Sequence, residues 1–167
     1  PYTIDYACGS GHFLTEVMMY ADNILKKIDG NFLNSKQLEN YNSWVNGYRW
    51  AGEFIYGIEK DYRLSKTTKI ACFLNGDGIA NIICADGLAD FKNKKYKGKL
   101  NIKNGKNNNQ FDLVIANPPY AVDGFVNACK ELEGNFELKK YVNDTSKEIE
   151  CLFIERTIQL LNDNGVA

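Results

Sequence analysis

The sequence is short of the residues that build metal centres. It has one histidine, His12, and its five cysteines include no Cys-x-x-Cys pair, so no metal site is expected. Nor do the cysteines form an even disulfide framework; they read as free thiols of a reducing, cytoplasmic compartment. No run of about 18 apolar residues is present, so no membrane-spanning helix is expected. No basic stretch followed by an apolar one opens the chain, so nothing points to secretion. A charge excess is missing too: 20 Lys and Arg against 21 Asp and Glu leave −1, which is not the balance of a small, self-sufficient nucleic-acid binder. Proline is scarce, and two of the three stand together at Pro118-Pro119.

What is present is the material of one domain. The 167 residues are 44% hydrophobic and 25% charged, ordinary values for a globular protein with a sheet-and-helix core. The charge is unevenly spread: from Lys92 to Lys106 there are seven lysines (92, 94, 95, 97, 99, 103, 106) and no acid. On composition this is a solvated, disordered loop; the functional alternative is a flap that faces phosphate. The chain opens inside an expected strand, Tyr2 to Tyr6, and stops at Gly165-Val166-Ala167, where another begins. Residues 1–167 therefore read as one core, with no internal boundary, cut from something longer.

Strand-like runs alternate with amphipathic stretches. Leu14, Val17, Met18, Ala21, Leu25 and Ile28 share one face of a helix over 12–28 that Asp29-Gly30 stops. A weaker helix is expected over 36–45, and no period is evident over 46–51. Phe54 to Ile58 reads as a buried strand, 61–74 as a helix, Asn81 to Ala85 as a strand, and Phe111 to Ala116 as the clearest strand of all. Thr145-x-x-Glu148 is a capping box for a helix carrying Ile149, Leu152, Phe153, Leu160 and Leu161, which Asn164-Gly165 would end. Apolar strands joined through helices imply an α/β fold, a parallel sheet covered on both faces, with ligands at the carboxyl ends of the strands.

The residues at those ends are polar. Asp5-Tyr6-Ala7-Cys8-Gly9-Ser10-Gly11-His12-Phe13-Leu14 is a strand, a glycine turn and a helix start, and Gly9 and Gly11 let backbone approach a ligand closely. A dinucleotide site would want a third glycine where Leu14 stands, and an acid about 20 residues on; Glu59 lies much farther. A nucleoside without phosphate fits better, with Glu59 accepting from ribose hydroxyls and Asp86, in Asp86-Gly87, from an adenine amine. His12 opens a helix and reads as a surface or cap residue, and the Trp44–Trp50 aromatics as packing.

Asn117-Pro118-Pro119-Tyr120 follows the clearest strand directly, and its prolines remove donors and restrict φ. An exocyclic amine is a poor nucleophile because its lone pair is delocalised into the ring. If the Asn117 side-chain oxygen and the Pro118 carbonyl accept its two hydrogens, the nitrogen can pyramidalise and attack a methyl group. Tyr120 supplies a stacking face for a base taken out of its duplex.

At these residues the chain resembles the N6-adenine DNA methyltransferases, in particular modification subunits of type I restriction systems and fused restriction–methylation enzymes. The matching pieces are Asp5–Leu14, Tyr56–Asp61, Asp86–Leu88, Phe111–Tyr120 and Glu150–Arg156, in the family's order. The resemblance implies a doubly wound, Rossmann-like class I methyltransferase fold that binds S-adenosylmethionine and no metal. Asp5, Ala7, Cys8, Gly9, Gly11 and Phe13 would hold the methionine part, Glu59 the ribose, and Asp86 and Gly87 the adenine. Asn117, next to the methyl group, would act with Pro118, Pro119 and Tyr120 on an adenine flipped from double-stranded DNA. The implied setting is a bacterial or archaeal restriction system, with a DNA-specificity subunit and a restriction subunit or fused nuclease as partners, and no membrane. Against the family's pattern, Tyr6 stands where proline is frequent, Lys60 where an apolar residue covers the adenine, and the upstream cofactor segment, last strands and target-recognition domain are absent.

The same Asn-Pro-Pro-Tyr element serves enzymes that methylate protein glutamine or RNA amines, and the fold can also act as a non-catalytic scaffold; the Asp5–Leu14 turn and the Glu150–Arg156 helix favour DNA. N4-cytosine transfer is more typical of Ser or Asp at 117, and C5-cytosine transfer needs a cysteine after a proline, which the chain lacks.

Overall fold

Alternating apolar strands and helices produce the expected layered sheet. The computed structural model describes residues 1–45, 49–76, 81–100, 107–120, 135–142 and 148–167. Among them are five strands, β1 (Thr3–Asp5), β2 (Ile55–Glu59), β3 (Asn81–Cys84), β4 (Phe111–Val114) and β5 (Leu161–Val166). All neighbours pair in parallel, in the order β3-β2-β1-β4-β5. The order reverses between β1 and β4, which opens a crevice at their carboxyl ends.

The α-helices among the described residues are α1 (His12–Leu25), α2 (Ser35–Val45), α3 (Arg49–Phe54), α4 (Tyr62–Leu74) and α5 (Glu150–Leu160). Side-chain alternation along the strands divides the core. Ile55 and Ile82 point to one face, where they pack with Leu14 and Met18 of α1, Trp50 of α3 and Cys72 of α4. Ile58 and Ile83 point to the other, against Leu152, Phe153 and Leu160 of α5 and the buried Leu88, Tyr96 and Leu100. Phe111 is fully buried there and meets the Tyr56 ring edge-on at 5.2 Å. Asp61 caps α4, its carboxylate accepting from the N–H groups of Arg63 and Leu64.

Boundaries differ from the sequence reading in informative ways. α1 ends at Leu25 rather than 28, and Asp29 caps a separate 3-10 turn, Gly30–Phe32. Arg49–Phe54 is helical although no period marked it, because Trp50 and Ala51 are buried against α1 and the sheet; Phe54 closes this helix instead of opening the strand. The last helix starts at Glu150 with no side-chain cap, and Thr145 of the expected capping box lies outside the described residues. That helix stops at Leu160, not at Asn164-Gly165, which lie inside β5. Gln110 N–H donates to the Leu160 carbonyl, so the chain joins the ladder beside β4 at once. The ladder is irregular there, Phe111 facing Leu161 and Leu113 facing Val166.

The lysine-rich segment, read from composition as disordered, is built through Leu100. Tyr96 and Leu100 are buried in the core, while Lys92, Lys94, Lys95 and Lys97 point to solvent. The apolar anchors are spaced widely enough for the lysines to dominate the composition. Lys103 and Lys106 lie outside the described residues.

Truncating Phe111 would leave a void between β4, β2 and α5. Phe111→Ala is expected to cost about 3–5 kcal/mol of unfolding free energy, read by chemical denaturation, with the helical content of the folded form retained.

Candidate functional site

The crevice is bordered by four chain segments, one after each of β1 to β4. After β1, the turn is set by glycines: Gly9 has φ 53° and Gly11, the N-cap of α1, has φ 86°. A Cβ on Gly11 would stand 2.6 Å from Cγ2 of Thr68, whereas one on Gly9 would meet nothing within 4 Å. The turn is thus closed against α4 at Gly11 and open at Gly9. Thr68 Oγ1 donates to the Gly9 carbonyl at 2.6 Å and reinforces the closed side.

Glu59, at the end of β2, ties this turn to its own strand. One carboxylate oxygen accepts from Gly9 N–H at 2.8 Å and the other from Asp61 N–H at 2.7 Å. Each oxygen keeps a second lone pair for a ligand hydroxyl. Cys8 N–H also donates to the Ile58 carbonyl, and the Cys8 thiol is packed with Leu14 and Met18, so only its main chain faces the turn. Burial pushes that thiol up, with Asp5 and Glu59 adding to the effect, so it is not a nucleophile. Ala7 is half-buried, and Phe13 is exposed on the first turn of α1.

Asp5 is buried at the end of β1 and accepts from Ala7 N–H at 3.0 Å. Burial raises its pKa to about 7, the Ala7 hydrogen bond opposing and the charge of Glu59 assisting. A carboxyl in this state gains from any cation placed beside it.

After β3, Asp86 accepts from Leu88 N–H at 3.0 Å and pairs with Lys60 Nζ at 2.8 Å. Lys60, which replaces an apolar residue of the resembled family, therefore bridges the ends of β2 and β3. Gly87 lies against the turn after β1: a Cβ there would collide with the Tyr6 carbonyl oxygen, so this loop tolerates no side chain at that point. The Tyr96 hydroxyl donates to the Asp86 carbonyl and fixes the loop from below.

After β4, Asn117, Pro119 and Tyr120 are exposed and Pro118 is half-buried. Tyr120 donates its hydroxyl to Asn117 Oδ1 at 2.8 Å, and the residue is 69% exposed. Ile115 N–H donates to the Ile4 carbonyl, which holds this segment alongside the end of β1. A cleft of about 460 Å³ runs between Tyr6, Ala116, Pro118, Tyr120 and the α5 side chains Phe153 and Thr157. Apart from His12 and Phe13 on α1, the candidate residues thus fall into two groups. Asp5, Ala7, Cys8, Gly9, Gly11, Glu59, Asp86 and Gly87 are linked through β1, β2 and β3, while Asn117 to Tyr120 stand across the switch point beside β1.

A family model described as Eco57I restriction-modification methylase matches residues 53–167. The chain belongs to this family. It is also 29% identical, over 96% of its length, to the type II restriction enzyme and methyltransferase RM.Eco57I of Escherichia coli, of which it spans 19%. The match to the family begins just before β2 and includes Glu59, Asp86, Asn117–Tyr120 and α5; the glycine turn lies ahead of it.

Three contributors were given no role of their own by the sequence reading. Thr68 supports the glycine turn from a helix with no motif of its own. Tyr96 is an aromatic amid lysines, and that contrast was the available signal for an anchor. Arg156, 1% exposed on α5, donates to the carbonyls of Leu88 and Ala89, next to Asp86.

Asp5 gives a pH test of this description. The folded chain holds its proton up to about pH 7, while the unfolded chain releases it near 3.8. The associated stability is full below pH 3.8 and is lost as pH rises through 7. Asp5→Asn keeps the acceptor for Ala7 and removes the titration. It is expected to match the wild type near pH 4 and exceed it at pH 8 by roughly 2–4 kcal/mol in denaturant unfolding. An equal difference at both pH values would contradict the assignment.

Proposed function

We propose that this chain is the catalytic core that transfers a methyl group from S-adenosylmethionine to N6 of adenine in DNA, within a restriction–modification system. The observation that carries the reading is the position of Asn117-Pro118-Pro119-Tyr120. It follows β4 at the switch point, on the cleft beside β1, with two strand-end carboxylates on the other side of the turn.

The residues fit the cofactor. Glu59 and Asp86 are acceptors for hydroxyls and an amine, an acceptor set suited to a nucleoside without phosphate. The open side of Gly9 admits a ligand against the backbone, and the buried Asp5 offers a carboxyl whose charge an amino-acid ammonium would restore. When bound, S-adenosylmethionine supplies an electrophilic methyl group on sulfonium sulfur. Lys60 pairs with Asp86 across the place assigned to the adenine, and its aliphatic stem can cover the ring while its ammonium stays in water.

The protein's part in the reaction is orientation and charge. Asn117 Oδ1 and the Pro118 carbonyl accept the two amine hydrogens, which localises the nitrogen lone pair and lets the amine attack in line. The bound cofactor would supply the methyl group and keep the sulfur–carbon electron pair on sulfur as a thioether, and the methylated amine would give its surplus proton to water. The hydrogen bond from Tyr120 fixes the Asn117 side chain and leaves the second lone pair of its oxygen free. The exposed Tyr120 ring offers a stacking face worth roughly 1–3 kcal/mol to a flipped base. Double-stranded DNA, a separate or fused nuclease, a specificity subunit and a cytoplasmic location belong to the same proposal.

The test uses the full-length protein, methyl-labelled cofactor and, in parallel, unmethylated DNA, RNA and a glutamine-bearing protein. Label is expected on adenine N6 of DNA; label on protein or RNA instead would overturn the reading. Asn117→Ala is expected to lower transfer by about 10²–10³-fold, the usual loss for one preorganised polar contact, with cofactor binding largely kept.

A further inference from the structure

Arg156 is an uncommon object in this fold. It is a cation 1% exposed, on the buried face of α5, with no carboxylate in ion-pair contact among the described residues. Its Nη2 donates to the carbonyls of Leu88 at 3.0 Å and Ala89 at 2.9 Å. The guanidinium lies over the rings of Phe91 at 4.2 Å and Phe136 at 4.8 Å. Nε and Nη1 have no hydrogen-bond partner among the described residues. Burial pulls its pKa down to about 10, with Tyr96, Asp90, Tyr6 and Asp86 acting in the opposite direction. Used only to stabilise the core, such a residue is a poor choice. An apolar side chain of the same length would avoid the desolvation cost and leave no orphaned donors.

The partners of Arg156 suggest another use. Leu88 and Ala89 are the residues immediately after Asp86-Gly87, and Phe91 follows them. The same helix grips the neighbouring turn, because the Tyr6 hydroxyl donates to the Phe153 carbonyl at 2.8 Å and lies 2.9 Å from Thr157 Oγ1. Gly87 and the Tyr6 carbonyl are in direct apposition between these two grips. α5 therefore holds the loops after β1 and β3 at once, one through Tyr6 and the other through Arg156.

We infer that Arg156 is a positioning residue that clamps the Asp86–Ala89 loop onto α5 and so fixes Asp86 where the adenine end of the nucleoside cofactor is recognised. The inference rests on the proposed role of Asp86 and adds a residue that touches neither cofactor nor substrate. Its two carbonyl contacts restrain the loop on the side away from the ligand. The ring contacts with Phe91 and Phe136 restrain the guanidinium further, so the loop's position is defined by more than the two hydrogen bonds.

The test compares full-length wild type, Arg156→Met and Arg156→Lys by three measurements. These are thermal melting, hydrogen exchange of the ligand-free peptide covering 86–91, and titration with S-adenosylhomocysteine. Arg156→Met is expected to melt within a few degrees of wild type, since an apolar replacement avoids the burial penalty. Its 86–91 amides are expected to exchange at least about tenfold faster, and its ligand affinity to fall about ten- to fiftyfold, for want of two charge-assisted hydrogen bonds. Turnover at saturating cofactor should change less than threefold, and Arg156→Lys, which keeps a donor, should recover part of the affinity. Unchanged exchange and affinity in Arg156→Met would overturn the inference, as would an affinity loss that merely follows a lower melting temperature and is not relieved by lysine. If wild type itself does not bind S-adenosylhomocysteine, the cofactor reading falls. Exchange of 86–91 then decides the clamp alone, faster at unchanged melting supporting it and unchanged exchange overturning it.

Discussion

Both oxygens of the Glu59 carboxylate are taken by backbone N–H groups, Gly9 from the turn after β1 and Asp61 from the start of α4. Hydrogen bonds to a charged acceptor are worth about 1.5–3 kcal/mol each, and the one from Gly9 joins segments 50 residues apart in sequence while the one from Asp61 is local. They do more than stabilise. They fix the plane of the carboxylate at the end of β2, and they set the Gly9 backbone over it. The Cys8 to Ile58 main-chain bond repeats the tie one step down the strands. Without the bond from Gly9, the glycine turn and the acid assigned to the ribose would be tied only by the main chain below them.

The rest of the pocket is built by the same economy of cross-loop contacts. Lys60, next in sequence to Glu59, reaches Asp86 and joins β2 to β3 at their carboxyl ends. Gly87 backs onto Tyr6, and Tyr6 in turn anchors into α5, where Arg156 holds the far side of the same loop. On the other side of the switch point the contacts among the described residues are fewer. Asn117 and Tyr120 hold one another, and the main chain before them is tied to β1 through Ile115. A rigid half and a more open half are what such a site needs if a small nucleoside is kept while a bulky base enters from solvent.

How much of this was legible in the sequence depends on whether one residue type had one use. Phe111 to Ala116 was plain because its apolar run ends in Asn117-Pro118-Pro119, residues that cannot continue a strand. Strand-end acids were visible for the same reason: Glu59 and Asp86 interrupt apolar runs. The junctions were not visible. Leu160 and Leu161 look alike, yet one closes α5 and the other opens β5, and only the ladder with β4 separates them. Arg49–Phe54 is too short to display a period, and tertiary burial of Trp50 and Ala51 decides its state. Arg156 was the hardest to see, since an arginine on an amphipathic helix ordinarily marks the solvent side. The supporting residues thus come from long-range packing, whereas those that would face ligands stand at strand ends where their chemistry is exposed to reading.

The division of the crevice into a nucleoside half and a base half is the central claim. The most direct measurement is an experimental structure of the full-length protein with S-adenosylhomocysteine bound. The ribose hydroxyls should lie on the Glu59 carboxylate and the adenine beside Asp86, with the thioether sulfur directed toward Asn117. A ligand seated in the cleft between Tyr6, Pro118 and Phe153, with Glu59 and Asp86 untouched, would contradict the assignment of both halves.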